Sequence, residues 1–371
     1  MISFDTTSNK SNLELIDYIC EYLSSYNIET SRIYNQDKSK ASIYYSIGRV
    51  ELPGLVLSAH TDTVPVDAQQ WSQNPYELKI HKNRYYGRGT SDMKGFISLV
   101  LALTPWIISK SFSEPVHVAL SYDEEVGCLG VGPLISKMKN NICNPKLVIV
   151  GEPTDLKIIN QHKSCHTFET EFYGKKAHSC YPEWGCNAVY YANDFINELR
   201  KIEQTLFDGD QDTNFEPPYS SLNVGLIEGG LAHNIIPDYA RVTWNIRCLP
   251  NENPHDILSN LFSKILPSIE YEMKKNFSEA RVSNKNTSNI LPLYQDNYPD
   301  MLNSLTKTDL THKHGVSYGT DAGFFSDIGW KTIVCGPGKI EQAHTSDEYI
   351  EIDDIKDGID FMISLMNGIL S

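Results

Sequence analysis

Four short runs constrain this chain more than anything else in it. LVLSAHTD, VHVALSYDEE, KLVIVGEPT and TIVCGPG each begin as a β-branched or aliphatic stretch and end abruptly in polar residues, the last followed shortly by QAH. Continuous apolar runs of this kind suit strands buried on both faces, as in a sheet covered by helices. Helical stretches alternate with them, including an amphipathic segment near Leu13 to Leu23 and MKGFISLVLALTPWI after GRGTSD. The alternation predicts an α/β domain, a central sheet flanked by helices. Ligands of such sheets bind beyond the carboxyl ends of the strands, so the four polar termini should converge in one crevice.

With 371 residues the chain exceeds what one hydrophobic core usually organises, which predicts two domains or a large insertion. Between about Cys165 and Lys285 the pattern changes. It reads as strand (His166 to Gly174), helix (Asn187 to Gln204), strand (Ser220 to Ile227), strand (Tyr239 to Leu249), helix (Pro254 to Met273) and strand (Glu279 to Ser283). This order predicts an inserted α+β ferredoxin-like domain over residues 165–285, with 1–164 and 286–371 forming the first domain. The polar stretch SNKNTSN reads as the return to that domain.

Several function classes are disfavoured. A net charge of −15 without a Lys/Arg cluster argues against nucleic acid as partner. No apolar run approaches the roughly 20 residues that span a bilayer, so no membrane partner is expected. The N-terminus lacks the basic start and apolar stretch of a signal peptide, and a cytoplasmic address is the expectation. Eight scattered cysteines with no CxxC pair point to reduced thiols rather than disulfides or a Cys-ligated zinc.

The chemistry-bearing residues sit at the strand ends. His60 and Asp62 form an H-x-D in which Asp62 is placed to orient the imidazole through its other ring nitrogen. A surface histidine beside a turn aspartate gives the same triplet. Asp92 leads into the apolar helix, where it suits either an ordinary N-cap or the carboxylate that two neighbouring cations must share. Glu124 and Glu125 leave a strand and should point to opposite sides, so that one can bind a metal while the other serves as general base; a solvated acidic loop is the alternative. Glu152 and His344 complete a set of oxygen and nitrogen donors without thiolate, which suits Zn2+, Co2+ or Mn2+ with open positions. Asp347 and Glu348 either meet a cationic ligand group, support His344, or lie in solvent.

SAHTDTVP, GRGTSDMKG, DEEVG, GEPT and QAHTSDEY together resemble the dinuclear zinc M20 family of aminoacylases and peptidases over nearly the whole chain. GPGKIEQAHTSDEYIE, QHKSCHTF and AHSCYPEWGCNAV make it most similar to the acetylornithine deacetylases of that family, although Ser164 and Cys165 stand where those tend to have Gly after HK. The resemblance implies a zinc-peptidase-like catalytic domain and an inserted lid that also forms a homodimer. It implies two divalent cations, one held by His60 and Glu152, the other by Glu125 and His344, with Asp92 bridging and Asp62 orienting His60. Glu124 would be the base and His178 would reach the substrate oxyanion from a partner subunit. Asn234 and Arg247 resemble lid positions that grip substrate, and Arg247 suits a carboxylate; a surface salt bridge is the alternative for Arg247. Gly319 and Thr320 offer a backbone-rich floor.

The implied reaction is hydrolysis of a small N-acyl amino acid, N2-acetyl-L-ornithine giving L-ornithine and acetate. Sibling activities such as succinyl-diaminopimelate desuccinylation or dipeptide cleavage remain open. So do a cysteine nucleophile at Cys180 beside His178, and a non-catalytic metal-binding homologue.

Overall fold

The computed structural model describes residues 1–67, 69–296, 302 and 314–370. The chain divides into two units, Met1–His162 with Leu293–Gly315 and Gly319–Ser371, and Lys163–Pro292 with Val316–Tyr318.

In the first unit six strands form a mixed sheet in the order Thr30–Tyr34, Ala41–Ile47, Val116–Ser121, Leu55–His60, Leu147–Val150, Thr332–Val334. The last four run parallel, and the first two add antiparallel at one edge. Every residue of the three inner parallel strands is buried, which explains why they read as continuous apolar runs. One face packs with residues such as Ile16, Phe96 and Met362 from helices Leu13–Ser24, Lys94–Lys110 and Ile352–Ile369. Helices Val131–Lys139 and Ala322–Asp327 also pack on the sheet strands.

Register decides what this sheet presents. His60 lies level with Ser121, and Ser58 with Val150. The turns carrying His60, Glu124, Glu125 and Glu152 therefore start side by side at one edge. Gly336, just past the Thr332–Val334 strand, passes so close that a Cβ there would lie 2.2 Å from the Gly151 carbonyl oxygen. Only glycine permits that approach, and it brings the segment leading to His344 against the Glu152 turn.

The second unit is built on a four-stranded antiparallel sheet in the order Ser221–Gly229, Tyr239–Arg247, Cys165–Tyr173, Arg281–Ile290. Tyr239–Arg247 alternates buried and half-buried residues, as a strand with one covered face should. Helices Ala188–Phe207 and Leu266–Asn276 supply that cover, and Trp244 stacks on Phe168 at 4.6 Å between centroids.

Two expectations need correction. The expected helix from Pro254 to Met273 is interrupted by a π-helical segment, Leu261–Ile265. Pro267 has no N–H to give the Ser263 carbonyl, so the regular ladder cannot run through. The stretch SNKNTSN is not a connector; it belongs to strand Arg281–Ile290, which pairs with Cys165–Tyr173 as far as Ile290. An edge strand tolerates such polar residues because it pairs on one side only, and Asn284 accepts a hydrogen bond from the Thr170 hydroxyl at 2.7 Å. Among the described residues no helix is long and apolar enough to cross a membrane.

Candidate metal centre

His60 ends its strand almost fully buried. Its Nε2 lies 2.9 Å from Asp92 Oδ1 and 3.7 Å from Glu152 Oε1. On the other side of the same carboxylate, His344 Nε2 lies 3.2 Å from Asp92 Oδ2 and 3.0 Å from Glu125 Oε2. Two donor clusters thus share Asp92, and within each the donor atoms lie within 4.8 Å of one another. Asp92 does not cap the following helix: Met93 holds that position, with no side-chain bond. A carboxylate presenting one oxygen to each cluster is what two close cations require to offset their repulsion.

The donor set fits such cations. Glu152 Oε1 is buried without a hydrogen-bond partner, an arrangement that is costly unless positive charge is supplied nearby. The electrostatics point the same way. Burial pushes the Glu124 and Glu152 carboxyls well above the usual carboxylate range, with neighbouring carboxylates adding to it and His60 opposing. Hydrogen bonds that the His344 ring donates to Asp92 and Glu125 raise it to about 10. Burial opposes charge on His60, yet Glu152, Asp62 and Asp92 hold its imidazole well above its ordinary value. The glutamates and both histidines hold protons more tightly than usual, while Asp92, hydrogen-bonded by both imidazoles, is held below its ordinary range; raised glutamates around charged imidazoles mark a cluster short of positive charge.

Asp62 lies near the His60 ring, but its side chain has further partners. His60 Nδ1 is 3.0 Å from the Asp62 backbone carbonyl and 3.5 Å from its carboxylate. That carboxylate accepts the backbone N–H groups of Glu124 and Glu125 at 3.1 and 3.3 Å, and the Ser8 hydroxyl at 2.7 Å. The two glutamates diverge because of a turn, not strand alternation. Asp123 takes a left-handed φ of 55°, and the N–H groups of Gly127 and Cys128 return to the Glu124 carbonyl. Lys40 pins the start of this turn, donating to both Asp123 oxygens at 2.6 and 2.7 Å. Asp321, which accepts a bond from the Ser121 hydroxyl at 2.5 Å, is a further buried acid; burial raises it to about 6.

Glu348, whose surroundings the sequence left open, is fully buried and accepts from the backbone N–H groups of Gly89, Ser91 and Asp92. It was legible only as an acid near His344. Ser8, Lys40 and Asp321 carried no motif of their own, although Asp321 adjoins Thr320. The Thr320 hydroxyl accepts the Ala322 N–H at 3.1 Å, which assigns it a local bond at the start of helix Ala322–Asp327.

His178, Asn234 and Arg247 belong to the second unit. Ala177–His178 pairs with Ile235–Ile236, which places His178 and Asn234 on neighbouring segments, and both are exposed. His178 Nδ1 accepts the backbone N–H of Cys180 at 3.2 Å. Arg247 donates to the Ser317 carbonyl at 3.3 Å.

A parallel-edged sheet that delivers two carboxylate–imidazole clusters around one shared aspartate defines a metallohydrolase. The chain belongs to peptidase family M20/M25/M40, whose model matches residues 56–368, and it is a metal-dependent hydrolase of linear amide bonds. It is 31% identical over 344 residues to the acetylornithine deacetylase of Buchnera aphidicola subsp. Acyrthosiphon pisum (strain Tuc7), covering 92% of this chain and 87% of that protein. The fold matches the M20 family metallo-carboxypeptidase Sso-CP2 from Sulfolobus solfataricus with a TM-score of 0.75 at 18% identity, covering 98% of this chain and 96% of the other. It also matches the YXEP protein of Bacillus subtilis, described as a dinuclear metal binding peptidase, with a TM-score of 0.64 at 14% identity over 100% of this chain and 96% of that one.

Proposed function

We propose that the protein deacylates Nα-acyl amino acids and that its substrate is N2-acetyl-L-ornithine, cleaved to L-ornithine and acetate, a step of arginine biosynthesis in the cytoplasm. The chemistry rests on the paired clusters around Asp92, and the substrate on the 31% identity to an acetylornithine deacetylase over 92% of this chain. His60 and Glu152 hold one cation, Glu125 and His344 the other, and Asp92 both; zinc suits the set best, with cobalt or manganese as substitutes. When bound, such a pair supplies Lewis acidity for the acyl carbonyl and for the attacking water.

The protein's own groups do the rest. Glu124 is buried beside the clusters and is not among their donors, so its carboxylate is free to take the proton from water and pass it to the departing amine. Asp62 keeps the Glu124–Glu125 turn and the His60 ring in place. For the second unit, the β-α-β-β-α-β order supports a ferredoxin-like lid through which the chain forms a homodimer. His178 then stabilises the oxyanion, and Asn234, Arg247, Gly319 and Thr320 contact the amino-acid portion.

The test is an acetate-release assay on N2-acetyl-L-ornithine, run against succinyl-diaminopimelate, other acylamino acids and dipeptides, before and after chelation. The reading predicts highest kcat/KM for acetylornithine, abolition by chelator and insensitivity to iodoacetamide. A higher kcat/KM for another member of the panel overturns the substrate. Chelator-resistant, iodoacetamide-sensitive turnover overturns the chemistry.

A further inference from the structure

One network outside the donor clusters ties them together. Glu348 has no solvent-exposed side-chain surface and accepts four hydrogen bonds. Oε2 takes Arg88 Nη1 at 2.7 Å and the Gly89 N–H at 3.0 Å; Oε1 takes the Ser91 N–H at 2.8 Å and the Asp92 N–H at 3.1 Å. Its carboxylate therefore organises the whole GRGTSD turn, including the backbone of the shared aspartate. Arg88, itself buried, extends the network by donating through Nη2 to Gln69 Oε1 at 2.5 Å. Gln69 Nε2 in turn donates to the His344 carbonyl at 2.8 Å, and the Trp71 indole N–H donates to Gln69 Oε1 at 3.1 Å.

His344 needs such a hold. Its φ of 60° lies in the left-handed region, which costs a non-glycine residue on the order of 1 kcal/mol, and its side chain is about half exposed at 52%. A buried Arg–Glu pair contributes little net stability, because desolvation offsets the attraction, whereas its directional bonds fix geometry strongly.

We propose that Glu348, Arg88 and Gln69 are positioning residues forming one relay that couples the Asp92 turn to the His344 loop and so sets cation affinity at the Glu125–His344 half-site. The relay rests on the two-cation reading of the centre. Glu348 bonds the Asp92 backbone directly, and both half-sites share Asp92; Gln69 bonds the His344 carbonyl directly and reaches the Asp92 turn only through Arg88. The two residues must therefore fail differently.

Apoprotein of the wild type, Gln69→Ala and Glu348→Gln is titrated with Co2+, following heat and visible absorption, with apoprotein Tm measured in parallel. The wild type takes up two equivalents. Gln69→Ala keeps the apoprotein Tm and the first affinity, weakens the second equivalent about tenfold or more, and alters its absorption band. Glu348→Gln weakens both. Two equivalents bound by Gln69→Ala with wild-type affinities and spectrum overturn the relay while leaving the cation pair standing, even where Glu348→Gln does not fold. A wild type that binds fewer than two overturns the pair itself, and the relay with it.

Discussion

The two halves of the centre share Asp92 but are made of different material. His60 and Glu152 stand at or just beyond the ends of adjacent, fully buried parallel strands, with side chains 1% and 6% exposed. Glu125 and His344 come from a turn and a loop; His344 is 52% exposed and lies ten residues beyond Val334, the end of the last strand of the six-stranded sheet. One half is therefore preformed by the sheet, where close packing allows little displacement. The other is held by hydrogen bonds that Asp62 and Glu348 accept and that Gln69 donates. A centre built this way should bind its cations unequally, the strand-end half first.

Removing the shared group erases the difference. Asp92→Ala should lose both cations and lower kcat/KM by on the order of 10^4-fold, read by metal analysis and acetate release. Retention of one tightly held cation would break the shared-ligand account. His344→Ala should expose the difference instead: one equivalent stays, and the second weakens by more than the roughly 100-fold typical of losing an outer partner. Loss of both equivalents together would show that the halves are not independent.

The sheet floor can be probed by pH. His117 is buried inside strand Val116–Ser121, its Nδ1 is 2.8 Å from the Ser46 hydroxyl, and burial lowers it to about 4. The unfolded chain protonates this residue near 6.5, so between there and 4 it binds more protons than the folded one, and stability falls as pH falls through that window. The full effect is at most about 3 kcal/mol. His117→Leu should flatten this limb in urea unfolding at pH 4 to 7, and an unchanged slope would assign it elsewhere. The smallest effect is expected at the acidic turn. Lys40→Met leaves the Asp123 carboxylate, only 10% exposed, without its cation. It should lower stability by about 2 kcal/mol with modest change in metal content.

What could be read from the residues follows the same division. The strand-end donors were legible because a buried strand fixes where its next residues emerge. The supports were not, because they join residues far apart in the chain: Arg88 and Glu348 are separated by 260 positions, and Ser8 reaches Asp62 across 54. Asp62 could be recognised as a partner of His60, yet its hold on the Glu124–Glu125 turn needs the register of two strands. The polar run from Ser283 to Asn289 was misread as a connector because an edge strand does not require apolar residues.

The central claim is that Glu124 is the base of a two-cation centre and not one of its ligands. Glu124→Gln measured for metal content and acetate release together tests it most directly. The account predicts two equivalents of metal, as in the wild type, with turnover lowered about 10^3-fold. Near-normal turnover with full metal, or loss of a cation in step with activity, would contradict it.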